Sequence, residues 1–128
     1  MAYTCDRRIE NADFEEVDAR LRAALADKGF GVLTEIDVKA TLRKKLGVEM
    51  DSYRILGACN PRMAHQALGL EPRVGAMLPC NVILRQVPGA VEISAIDPVA
   101  SMAAIDNDAL KEVAGQVRDL QAEAVGAA

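Results

Sequence analysis

Residues 80–96 read CNVILRQVPGAVEISAI, and this stretch decides the fold. Cys80 to Val87 is an apolar, β-branched run of strand length. Pro88-Gly89 then fixes one φ and frees the next, and Val91 to Ile96 returns as a second run of the same kind. Two strands joined by so short a turn pair antiparallel, because a parallel partner needs a crossover of a dozen or more residues. A late hairpin preceded by modest helices points to an α+β fold. The expected architecture is a mixed or antiparallel sheet of about five strands, with helices packed mainly on one face.

Upstream of the hairpin, Tyr53 to Cys59 is apolar on both faces except at Arg54, the pattern of an internal strand. Asn60-Pro61 stops it and starts a helix to about Leu70, since Asn caps a helix well and Pro suits its first position. Pro72, Gly75 and Pro79 predict a loop before Cys80. Nearer the N-terminus, Tyr3, Cys5, Arg7 and Ile9 alternate as a short edge strand, and Asp13 with Glu16 opens a helix carrying Phe14, Val17, Leu21 and Leu25 inward. Gly29 ends it. Phe30, Val32, Thr34, Ile36 and Val38 repeat with period two, and Leu33 between them suggests cover on both faces of that strand. Asp37 then caps a short helix with Val38, Leu42 and Leu46 turned inward, Arg43, Lys44 and Lys45 in its last turn, and Gly47 at its end.

Downstream, Asp97-Pro98 repeats the cap-plus-proline start. Beyond Asp106-Asn107 a longer helix places Leu110, Val113, Val117 and Leu120 on one stripe, and Val125 to Ala128 are expected to fray. The 128 residues, 51% of them hydrophobic, suit one domain over 1–128 with no dividing linker. A formal net charge of -4 argues against wrapping a phosphate backbone, so no nucleic acid is expected. No apolar run reaches the roughly 20 residues that span a bilayer, and Met1 to Asp6 carries no signal-peptide core. The expectation is a cytoplasmic protein with no membrane partner. Three cysteines, Cys5, Cys59 and Cys80, make an odd count that fits reduced thiols better than a disulfide framework.

Gly29-Phe30-Gly31, Cys59-Asn60-Pro61, Leu78-Pro79-Cys80 and Asp97-Pro98, in that order and spacing, resemble the bacterial and archaeal family called domain of unknown function 302, from about Phe14 to about Leu120. The resemblance implies a compact α+β fold. It brings no established activity, catalytic residue or cofactor.

Chemistry concentrates between Cys59 and Cys80. A cysteine just before a helix N-terminus can have its thiolate stabilised by free N–H groups, and Cys59 has that position. If the strands bearing Cys59 and Cys80 are antiparallel neighbours, both sulfurs lie at one end of the sheet; inert packing competes with this reading, since free cysteine is among the most buried residue types. Met63, His65 and Met77 add thioether and imidazole donors, a set a soft ion such as copper selects, with zinc possible at a Cys/His subset, although the spacing fits no metal motif. Proline-bounded element ends also frame concave sites, which makes Cys59, Asn60, Pro61, Leu78, Pro79 and Cys80 the natural lining of a ligand site. The leading reading is a ligand-binding, non-catalytic module at those six residues. The alternatives are a thiol redox or soft-metal protein using Cys59 and Cys80, and a structural homodimer formed through a free sheet edge or the C-terminal helix. His65 lacks a local carboxylate, Asp97 reads as a helix cap, Gly29-Phe30-Gly31 lacks the context of a phosphate loop, and Arg43 to Lys45 read as a solvated basic helix end.

Overall fold

The computed structural model describes residues 2–128. The elements run β1 (Thr4–Glu10), α1 (Phe14–Asp27), β2 (Gly31–Asp37), α2 (Val38–Leu46), β3 (Tyr53–Cys59), α3 (Pro61–Leu70), a 3₁₀ helix (Pro72–Met77), β4 (Cys80–Val87), β5 (Ala90–Ile96), a single turn α4 (Pro98–Ser101) and α5 (Asp108–Ala127). The strands form one sheet in the order β1-β5-β4-β3-β2, every neighbouring pair antiparallel. The fold is α+β, with the 80–96 hairpin as its centre and β3 internal beside it.

Each α-helix starts on an Asp or Asn whose side chain accepts a backbone N–H that the helix itself leaves free. Asp13, Asp37, Asn60, Asp97 and Asn107 take the N–H groups of Glu16, Ala40, Met63, Val99 and Leu110 respectively. Pro61 and Pro98 stand first in α3 and α4, where no N–H is missed. Gly29 at φ 84° and Gly47 at φ 68° take the left-handed turns that follow α1 and α2.

Two apolar cores result. In the larger one, Val17, Leu21 and Leu25 of α1 and Ala124 and Val125 of α5 cover Leu56, Val82, Leu84, Val91 and Ile93 on one face of the sheet. The smaller one lies beyond it, where Ala67 of α3, Val74 of the 3₁₀ helix and Met102 pack on Leu110, Val113 and Ala114 of α5. The opposite face is open over β4, β5 and β1, where Asn81, Ile83, Arg85, Glu92 and Ser94 border a broad concavity.

The structure corrects four local expectations. Leu33 is 66% exposed, because the β2–β3 register shifts between Val32 and Thr34 and turns it away from the sheet. Leu46 is 69% exposed, since α2 packs only at the β2–β3 corner and buries no residue fully. The loop expected before Cys80 is largely a 3₁₀ helix anchored by the fully buried Val74. The chain end is held and not frayed: Val125 and Ala128 are buried, Arg7 donates to the carbonyl oxygens of Val125, Gly126 and Ala128, and Arg20 donates to that of Ala128. The apolar stripe of α5 is used up inside, leaving Lys111, Glu112, Arg118, Asp119 and Glu123 outward.

Candidate functional site: a cavity between two cores

Where the two cores meet, the chain leaves an apolar cavity of about 40 Å³. β3 supplies its floor at Ala58 and Cys59, β4 adds Cys80, Phe30 closes one side, and α3 lies over it with Met63, Ala64 and Ala67. α5 forms the far wall with Leu110, Val113, Ala114 and Val117, and Leu78, Pro98 and Met102 complete it. The Asn60 N-cap sits at its edge, its Oδ1 accepting from the Met63 N–H at 3.3 Å. The cavity exists because α3 departs from the sheet at Asn60-Pro61 and rests mainly on α5 and the 3₁₀ helix.

Of the residues singled out from sequence, Cys59, Asn60, Leu78, Cys80 and Met63 border this cavity together. Pro61 instead lines a neighbouring surface hollow with Gly29, Asn60, Arg62 and Met63. Pro79 packs on the other face of the sheet, where it and Thr34 fill the space a Cβ on Gly57 would need. His65 and Met77 are exposed and outside the cavity lining, so the five soft ligands are not gathered there. Among the described residues no three of His, Cys, Asp and Glu come together as a metal site.

The two cysteines meet the condition of antiparallel neighbouring strands. Ala58 is the register partner of Cys80, so Cys59 follows one residue later and strand alternation directs it across the pleat. All three cysteines are free thiols. Cys80 is 7% exposed, and burial, with the nearby Cys59 adding charge repulsion, pushes its thiol up to about 11. Such a thiol is protonated at neutral pH and is a poor nucleophile.

Residues of α4 and α5 that wall the cavity were legible only as core positions. Leu110, Val113 and Val117 read as one helical stripe, and nothing local in the sequence shows that α3 lies against its first half. Two polar features also escaped the sequence. Gln121 is fully buried in α5 with neither amide atom hydrogen-bonded among the described residues. Arg54, the one polar residue inside β3, bonds Asp18 at 2.9 Å and Glu15 at 2.7 Å and stacks 5.1 Å from the Phe14 ring centre.

A five-stranded antiparallel sheet with α1 and α5 on one face, and a small helical annex enclosing an apolar cavity, defines the class of α+β protein to which the chain belongs. The family model described as domain of unknown function DUF302 matches residues 6–128, and the chain is a member of that family. It is similar to an uncharacterized conserved DUF302 protein from Bacillus stearothermophilus known from a crystal structure. The identity is 28%, the TM-score is 0.91, and 98% of each chain is covered. No curated protein matches the chain. Among the described residues no helix is long and apolar enough to cross a membrane.

Proposed function

We propose that the chain is a binding module that takes the apolar body of a small molecule into the cavity between its two cores. The observation that carries this reading is the lining: a continuous wall of aliphatic, Met, Cys and Phe side chains separates two cores that otherwise have every reason to close on each other. An unfilled apolar void forfeits dispersion contacts, and such voids stay dry and accept apolar guests. At about 40 Å³ the cavity is a slot, smaller than the roughly 150 Å³ that accepts benzene elsewhere. Entry therefore requires α3 and the 3₁₀ helix to move outward. Their cover is light, with Ala67 and Val74 as the fully packed anchors and one hydrogen bond, Asn107 Nδ2 to the Leu70 oxygen at 3.0 Å, tying the end of α3 to α5.

The test uses n-hexanol as a neutral apolar probe. Thermal unfolding of the full chain is expected to shift upward with probe concentration, by about 2.7 kcal/mol of stabilisation at a hundredfold excess over Kd. Ala64→Leu, at a half-buried position that lines the cavity, is expected to keep the fold and abolish the shift. A wild-type protein indifferent to the probe refutes the proposal, as does a shift that Ala64→Leu leaves intact.

A further inference from the structure

Beside the apolar cavity lies a second hollow, open to solvent and lined by Gly29, Asn60, Pro61, Arg62 and Met63. The two share Asn60 and Met63, so they adjoin at the start of α3. Among the described residues, Arg62 is the only charged one bordering either. Its side chain is exposed and pairs with no carboxylate among the described residues. Most other arginines here, Arg8, Arg22, Arg43, Arg54, Arg85 and Arg118, do have such a partner. The Asn60 amide borders the same hollow. Its Oδ1 is occupied by the Met63 N–H, which leaves Nδ2 as a donor, and that nitrogen lies over Gly29, within 3.2 Å of where a Cβ would stand. A larger residue at Gly29 would crowd it. An apolar slot adjoining a hollow with one unpaired guanidinium and one free amide donor is polarised for a molecule of matching polarity.

We infer that the ligand is an amphiphilic anion, an aliphatic monocarboxylate. Its chain occupies the slot, and its carboxylate sits in the outer hollow against Arg62 and the Asn60 Nδ2. This inference rests on the proposed function, because the chain of such a ligand is the apolar body that the cavity takes up. Guanidinium and amide N–H groups match a carboxylate's acceptor oxygens, and a charge-assisted bond is stronger than a neutral one. The outer hollow is wet, so the gain is modest and falls with salt.

The experiment compares hexanoate with n-hexanol on the full chain at neutral pH, by calorimetry, in wild type and in Arg62→Gln. Hexanoate is expected to bind about three- to tenfold tighter than the alcohol, with an advantage that shrinks as salt is added. Arg62→Gln is expected to erase that advantage, chiefly by weakening hexanoate. If the alcohol binds and hexanoate binds no tighter, or keeps its advantage in Arg62→Gln, the carboxylate assignment is overturned and the apolar site survives. If neither probe binds, the apolar site itself is overturned and the assignment falls with it.

Discussion

A single thiol carries the sharpest consequence at the scale of the residue. Cys80 holds its proton in the folded chain up to about 11, whereas the ordinary thiol value is 9.0, and burial is the main cause. Between those values the folded state binds more protons than the unfolded state, so stability is fully present below about pH 9 and drains away as pH rises toward about 11. A rise of that size corresponds to roughly 2–3 kcal/mol. Cys80→Ala should lose that part of the alkaline destabilisation, measured as the difference between urea-unfolding free energies across the range. Equal pH slopes in the two proteins would mean that the thiol titrates normally. The sequence placed Cys80 correctly at a strand start, but its environment depends on Ala58 across the ladder and on α5, neither of which is near it in the chain. The same limit hid Gln121. Its burial follows from α1 and the sheet closing over α5, and an amide in a mid-helix position gives no local sign of that.

Element boundaries were the most legible part of the fold, because they are written in local chemistry. Asp13, Asn60-Pro61, Pro88-Gly89 and Asp97-Pro98 each impose a cap or a turn on their own few residues, and all four elements start or stop there. Exposure was less legible. Leu46 and Leu33 have the right spacing for inward positions, yet α2 has only a corner to rest on and β2 has a bulge. Between elements, Arg54 is the cross-link that holds α1 to the β2–β3 edge through Glu15, Asp18 and Glu35. Burial works to raise the Asp18 carboxyl, but hydrogen bonds from Arg22 and Arg54 outweigh it and hold the group below the usual carboxylate value. Asp18 therefore contributes stability at neutral pH that is lost as pH falls below the ordinary carboxylate range. Arg54→Ala leaves Asp18, 8% exposed, with one partner fewer and should cost roughly 2–4 kcal/mol in urea unfolding at neutral pH. It should also blunt the acid sensitivity. A loss near zero would place the network among solvated surface pairs.

At the scale of the whole molecule, what matters is that the chain builds two cores and does not merge them. The large core follows from the amphipathic pattern of the strands and α1, readable from sequence, but its α5 wall of Ala124, Val125 and Ala128 lies at the end that was expected to fray. The small core and the slot between the cores depend on where α3 lands after Asn60-Pro61, and on the first half of α5 returning to meet it. The sequence therefore pointed to Cys59, Asn60, Pro61, Leu78, Pro79 and Cys80 as a lining, of which Pro61 and Pro79 lie outside the slot, and missed the wall opposite them. The most direct test of the account is a methyl NMR titration of the full chain with n-hexanol. Shifts concentrated on the methyls of Met63, Met102, Leu110 and Val113, with those of Leu84 and Ile93 in the large core unmoved, are the predicted result. Shifts centred on Ile83 and Ile96 of the open sheet face, or none at all, would contradict it.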